Sequence, residues 1–223
     1  MVLSISVNKE KIIDIAILDN DVLAAKMLSH WIDQISREHH VTWVAHSGAE
    51  ALHHCLFDNE IPDVLIADMA LGDISGAIVC RKIRQQTSRI GLLCITAYEI
   101  KRYEEDAISA GAQGILAKEN LIHDLPSAII QASHGLPINN QFPDALTAHH
   151  LLNGETDKRP PKLSRKEQEV LRLYAQDHST EQISELLHIS QNTVYTYIHR
   201  ILKKMDVHNR KEAVILCRKY DLI

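Results

Sequence analysis

Between residues 12 and 133, short runs of aliphatic and β-branched residues alternate five times with amphipathic stretches of helical period. The first run, Ile12-Ile13-Asp14-Ile15-Ala16-Ile17-Leu18, is apolar nearly throughout, the pattern of a strand buried on both faces. Val22, Leu23, Met27, Leu28, Trp31, Ile32 and Ile35 follow near helical spacing. The alternation continues with strand 40–45, helix 48–57, strand 63–67, helix 76–85 and strand 90–95. Helix 101–110, strand 113–117 and helix 120–133 complete it. Strands separated by helices of this length cannot pair as hairpins. They predict an α/β domain, a doubly wound, five-stranded parallel sheet. In such sheets functional groups collect beyond the carboxyl ends of the strands.

The 223 residues leave room for a second, smaller domain. Apolar residues at 45% and charged ones at 24% exclude a disordered chain. No uncharged apolar stretch approaches the roughly 18 residues of a membrane helix. The first ten residues lack the basic and apolar regions of a signal peptide. A cytoplasmic protein without membrane association is expected. Cys55, Cys80, Cys94 and Cys217 form no Cys-x-x-Cys pair and read as reduced thiols. Composition shifts most sharply over 135–161, rich in Gly, Pro and Asn and closing on Asp157-Lys158-Arg159-Pro160-Pro161. We read 1–134 as one domain, 135–161 as a linker with a short helix over 144–152, and 162–223 as a second domain. The net charge of −5 averages two opposites. Residues 1–161 hold 13 Lys/Arg against 21 Asp/Glu, a net of −8, whereas 162–223 hold 11 against 8, a net of +3. A basic end on an acidic chain is the asymmetry expected where one domain meets nucleic acid.

The strand ends carry the chemistry. Strand one ends in Asp19-Asn20-Asp21, strand three in Asp68, strand four in Thr96-Ala97 and strand five in Lys118. A carboxylate oxygen is a competent nucleophile toward phosphorus. Neighbouring oxygens suit Mg²⁺, while a hydroxyl and an ammonium suit the phosphoryl group. These stretches, with Pro62-Asp63-Val64-Leu65-Ile66-Ala67-Asp68 and Gly111-Ala112-Gln113-Gly114-Ile115-Leu116-Ala117-Lys118, resemble the receiver domain of bacterial response regulators. The resemblance implies a flavodoxin-like fold with Asp68 as phosphoacceptor. It implies Thr96, Ala97 and Lys118 at the phosphate and switch positions. Mg²⁺ would be held by Asp19, Asn20, Asp68 and the backbone carbonyl of Ala70. The sequence departs from the family at three places. Position 20 is Asn rather than a second acid, with Asp21 available beside it; the loop after Asp68 lacks the usual proline; and Ile115 stands where many receivers have Tyr or Phe. Tyr98 is the nearest aromatic candidate for a switch reporter.

From Leu163 onward the pattern is purely helical. Ser164-Arg165-Lys166-Glu167 has capping-box form, Asp177-His178 breaks the first helix, and Ser179 or Thr180 starts a second. Ser190 can cap a third, whose seam is Val194, Ile198, Ile201, Leu202 and Met205. Its opposite face shows Asn192, Thr193, Tyr195, Thr196, His199, Arg200, Lys203 and Lys204, as a recognition helix in a major groove requires. The segment resembles the LuxR-type DNA-binding domain through Leu163-Ser164-Arg165-Lys166-Glu167, Ile189-Ser190-Gln191-Asn192-Thr193-Val194, Ile201-Leu202-Lys203-Lys204-Met205 and Asn209-Arg210-Lys211-Glu212-Ala213-Val214. By position, Tyr195, Thr196 and His199 face base edges, and Thr193, Arg200, Lys203 and Lys204 face phosphates. Tyr195 and Tyr197 replace the family's usual basic residue and His, so the operator cannot be carried over. The last helix, 210–220, is implied to pair two copies on double-stranded DNA, with half-sites about 10 base pairs apart.

Taken whole, the chain is similar to a NarL/FixJ-family response regulator. That resemblance implies a transcription regulator, not an enzyme, phosphorylated on Asp68 by a sensor histidine kinase and binding DNA as a homodimer. Release of the acidic receiver from the basic recognition helix is the expected switch. Asn20 and Ile115 keep open a receiver that dimerises or senses a ligand without phosphorylation. An enzyme with Asp68 as nucleophile is disfavoured, because Ala70 stands where an acid–base carboxylate would be needed. The pairs His39-His40, His53-His54 and His149-His150 have no ligand spacing and read as solvated or capping residues.

Overall fold

The computed structural model describes residues 12–72, 74–154, 162–220 and 222–223; residues 1–11 and the linker segment 155–161 lie outside them. Strands β1 (Ile13–Leu18), β2 (His39–Ala45), β3 (Val64–Asp68), β4 (Gly91–Thr96) and β5 (Gly114–Ala117) form one parallel sheet, ordered β2-β1-β3-β4-β5. The pleat sends alternate side chains to opposite faces. Ile13, Ile15 and Ile17 of β1 therefore pack with Val64 and Ile66 against α1 (Val22–Ile35) and α5 (Leu121–Ser133). Ala16 and Leu18 face the other way with Leu65 and Ala67, against α2 (Gly48–Phe57), α3 (Gly76–Gln86) and α4 (Glu104–Ser109). Val64, Leu65, Ile66 and Ala67 are fully buried. Burying one large aliphatic side chain is worth about 1.5–3 kcal/mol, against about 1 kcal/mol net for a ladder hydrogen bond. Packing on both faces thus holds the central strand.

Most expected elements recur within a residue or two of their expected ends. The exception is 101–110, which divides into a 3₁₀ turn, Ile100–Arg102, and a short α4. The break falls at Tyr103, with φ −120° and ψ −4°. Restarting there puts Glu104, Glu105 and Asp106 in the first turn of α4, where the helix dipole favours negative charge.

The described part of the linker is built into the structure. Gly135 turns the chain at φ +72°, and α6 (Ala145–Leu152) is capped by Asp144, which accepts from the Thr147 N–H. Ala145 and Leu146 join the core of the second layer of helices, α7 (Arg165–Ala175), α8 (Thr180–Leu186), α9 (Gln191–Met205) and α10 (Arg210–Lys219). Capping boxes at Ser164 and Ser179 and side-chain caps from Ser190 and Asn209 satisfy the N–H groups that open these helices. The breaks between them use left-handed Asp177, His188 and Asp206.

Candidate functional site

Asp68 is the last residue of β3 and Asp19 directly follows β1, so register brings both to one end of the sheet. Asp19 is 1% exposed and Asp68 6%. Lys118, just past β5, reaches across with Nζ 2.7 Å from Asp19 Oδ2 and 3.2 Å from Asp68 Oδ2. Burial by itself would lower the Lys118 pKa. The hydrogen bond to Asp19 and the charges of Asp68 and Asp19 outweigh it and hold the ammonium above its ordinary range. Thr96 ends β4, fully buried, and its Oγ1 accepts from the Tyr98 N–H, which leaves the hydroxyl proton available to a phosphoryl oxygen. Ala97 follows it, exposed at the rim. The Ala70 N–H donates weakly to Asp68 Oδ1 at 3.4 Å.

The two carboxylates, the Asn20 carboxamide and the Ala70 carbonyl make an all-oxygen donor set, which fits a hard cation such as Mg²⁺. Asn20 is exposed at the pocket mouth. Asp21, beside it, caps the next helix. Its Oδ1 accepts from the Leu23 and Ala24 N–H groups as the N-cap of α1. Ile115 is buried in the core, and Tyr98 is exposed, with the Arg102 guanidinium 5.3 Å from its ring centre. Gly76 is a position whose role sequence patterning missed. A Cβ there would collide with the backbone carbonyl of Asp68, so the start of α3 can lie against Asp68 only as glycine. The buried Arg84, which donates to the Gly111 carbonyl and to Gln113 Oε1, is a second.

On α9, Asn192, Tyr195, Thr196, His199, Arg200, Lys203 and Lys204 are exposed and Thr193 is half-buried, while Val194, Ile198, Ile201 and Met205 point inward. The expected face is therefore presented as one surface. Three of its members have prior commitments. Thr193 Oγ1 lies 2.9 Å from Ser190 Oγ. Thr196 Oγ1 donates to the Asn192 carbonyl. Lys204 Nζ lies 2.9 and 2.8 Å from the two carboxylate oxygens of Glu167, a buried residue of α7.

The contacts between the two halves differ from the expected ones. Hydrogen bonds and ion pairs among the described residues join the sheet domain to α10 and to Asp177, not to the recognition helix α9. Ser88 Oγ donates to Glu212 Oε1 at 2.6 Å in a buried contact. Lys211 Nζ lies 3.4 Å from Asp63 Oδ1 and donates to the Arg89 carbonyl at 3.0 Å. Lys219 Nζ donates to Thr147 Oγ1 at 3.1 Å. His134 Nε2 pairs with Asp177 Oδ2 at 3.0 Å. Ile215 fills the space above Gly135. Ala213, Val214, Ile215 and Leu216 of α10 are themselves buried in the core that α10 shares with α6, α7, α8 and α9.

The family model for the response regulator receiver domain matches residues 15–130, and that for bacterial regulatory proteins of the luxR family matches 161–217. The chain belongs to the NarL/FixJ family of response regulators. It is a two-component transcription regulator with a LuxR-type helix-turn-helix, and membership of that family makes it a regulator rather than an enzyme. The uncharacterized transcriptional regulatory protein YvfU of Bacillus subtilis is 34% identical over 173 residues, 78% of this chain and 81% of that protein. The response regulator VraR of Staphylococcus aureus is 26% identical over 162 residues, 73% and 77% of the two chains. Among solved structures, the response regulator RcsB in its DNA complex aligns with a TM-score of 0.51 at 20% identity, covering 93% of this chain and 98% of that one, a likeness of fold. No helix among the described residues is long and apolar enough to cross a membrane.

Proposed function

We propose that this regulator is switched by Mg²⁺-dependent phosphorylation of Asp68 by a sensor histidine kinase, and that phosphorylation favours a DNA-binding homodimer in the cytoplasm. In this reading residues 1–134 are the receiver, 135–161 the linker and 162–223 the DNA-binding domain. The observation that carries it is Lys118 bridging Asp19 and Asp68 in a buried pocket at the strand ends. An Asp68 oxygen attacks phosphorus as the P–N bond of the kinase phosphohistidine breaks, and the imidazole leaves with the electron pair. Bound Mg²⁺ would offset repulsion between the incoming phosphoryl group and the carboxylates. Lys118 keeps Asp19 and exchanges its Asp68 contact for a phosphoryl oxygen. Thr96 turns its hydroxyl proton toward the same group.

The DNA reading assigns Tyr195, Thr196 and His199 to base edges, and Thr193, Arg200 and Lys203 to phosphates. Lys204 is assigned to phosphates as well, and Asn192 lies beside them on the same face. RcsB has been solved in complex with DNA and as two dimers bound to two parallel DNAs; the first supports DNA binding here and the second a dimer on DNA. The α10 contacts support a resting state in which the helix that pairs two copies is held by the receiver through Ser88 and Asp63 and by the linker helix through Thr147. Phosphorylation shifts the balance toward its release.

A second reading keeps DNA binding and makes the receiver a phosphorylation-independent module. It is favoured by the neutral Asn20 and the commitment of Asp21 to capping. Incubation with a small phosphodonor and Mg²⁺, with acyl phosphate, dimerisation and DNA binding followed in wild type and Asp68→Asn, separates the two. The first reading expects labelling and dimerisation only with Asp68 present. A wild type that never becomes labelled, yet dimerises on DNA, supports the second.

A further inference from the structure

Outside the strand-end pocket, the ligand atoms of His53, His54 and Asp58 lie within 4.8 Å of one another at the C-terminal end of α2. Among the described residues no other group of three His, Cys, Asp or Glu side chains converges in this way. His53 Nδ1 is 3.4 Å from Asp58 Oδ1, and His54 Nδ1 is 2.5 Å from Oδ2. The spacing of two adjacent histidines and an aspartate four residues on matches no usual ligand motif. It works here because Asp58 is the C-cap. Its backbone, at φ −82° and ψ 161°, leaves the helix and turns the carboxylate back across the helix end.

We infer that His53, His54 and Asp58 form a surface binding site for a borderline divalent transition-metal ion of the Zn²⁺, Cu²⁺ or Ni²⁺ class. An ion pair or a helix cap needs one imidazole; here two meet opposite oxygens of a single carboxylate. A tetrahedral site with bonds of about 2.0–2.1 Å separates its donors by roughly 3.3 Å. The His53–Asp58 distance already matches. The His54–Asp58 pair must open by less than about 1 Å, which the half-exposed Asp58 can supply by rotation. The His54 ring is held by Trp43, with ring centres 4.9 Å apart. The last carbonyls of α2 favour positive charge at this end of the helix, and residues 1–161 carry a net charge of −8. Two imidazoles and one carboxylate select Zn²⁺, Cu²⁺ or Ni²⁺ over Mg²⁺, which prefers oxygen alone. Water completes the shell, since the His53 side chain is 68% exposed. The site is separate from the Asp68 pocket. Because α2 runs antiparallel to the strands, its C-terminus lies at the end where β3 begins, whereas Asp68 ends β3.

The test is titration of the full chain, without an affinity tag, with Zn²⁺, Cu²⁺ or Ni²⁺ by calorimetry in millimolar Mg²⁺. Trp43 fluorescence is followed in the Cu²⁺ arm. One equivalent is expected to bind, with Cu²⁺ quenching Trp43. His53→Gln and Asp58→Asn should each weaken that equivalent by at least the roughly tenfold lost on removing even an outer-shell partner, and should remove the quenching. His53→Gln alters an exposed side chain, so its unfolding curve in chelator should match wild type. Three results overturn the inference: no bound equivalent in the wild type, unchanged binding and quenching in both variants, or displacement of the ion by Mg²⁺. Because none of these readouts involves phosphorylation, failure here leaves the reading of Asp68 untouched.

Discussion

At the scale of single residues, buried charge does most to organise this protein. Arg84 is fully buried, and among the described residues no carboxylate bonds it. Its guanidinium donates to the carbonyls of Gly111, Thr87 and Ile90 and to Gln113 Oε1. Burial lowers its pKa to about 10, which still leaves it charged at neutral pH. Arg84→Met would strip these acceptors of their donor. At about 1–3 kcal/mol for each buried group left unpaired, a loss of about 3 kcal/mol or more is expected in urea unfolding; a loss below about 1 kcal/mol would mean the acceptors find other donors. Lys203 and Lys204 are neighbours with different duties. Lys203→Ala should lower the slope of log K against log salt for DNA by roughly one unit, with stability changed by no more than about 0.5 kcal/mol. Lys204→Ala should also lower the unfolding midpoint, because it leaves the Glu167 carboxylate buried without its cation. Equal midpoints for the two variants would remove that distinction.

At the scale of elements, the ends of helices decide where chemistry sits. Gly76 lets α3 begin against the Asp68 carbonyl. Gly76→Ala should cost about 1–3 kcal/mol as backbone shifts and should slow phosphodonor labelling of Asp68, since the loop carrying Ala70 must move with it. Normal labelling kinetics in a folded variant would show that the close approach is structural only. At α7, burial pushes the Glu167 carboxyl up, but the hydrogen bonds from Lys204 and Ser164 prevail and hold it below the usual 4.5. A depressed carboxylate contributes stability that is whole above its unfolded value and lost as pH falls through the folded one. The α7–α9 contact should therefore weaken as pH drops below about 4.5. Glu167→Gln should flatten that part of the stability profile, as circular dichroism against pH would record.

At the scale of the molecule, the receiver holds the helical domain by α10 and by the His134–Asp177 pair. The hydrogen bond that His134 donates to Asp177 outweighs burial and the opposing charge of Arg218, and raises the His134 pKa above 6.5. A raised histidine contributes docking energy that is whole below 6.5 and is lost as pH rises through the docked value. The docked form should loosen as pH rises above 6.5, seen as a growing radius of gyration in solution scattering. His134→Gln should abolish that dependence. Ser88→Ala, which breaks the contact with Glu212, should open the molecule at every pH and raise dimerisation without phosphodonor. A variant as compact and monomeric as wild type would mean α10 is not held through Ser88.

Much of this was legible in the residues themselves. Period-two and period-3.6 patterning located the sheet and nearly every helix, because side-chain burial is imposed by local backbone geometry. The strand-end polar residues declared the pocket for the same reason: a parallel sheet leaves its carboxyl ends as the open edge. Local reading failed where the deciding partner is distant in the chain. Arg84 looks like one more surface cation until Gly111 and Gln113 close over it. The acidic receiver and basic α9 looked complementary in charge, but the receiver's polar contacts go to α10 and to Asp177. Sequence alone determined the two kinds of domain and their chemistry. Tertiary structure decided which helix is held and which charges are already paired, because those depend on contacts that only folding brings within a few ångströms.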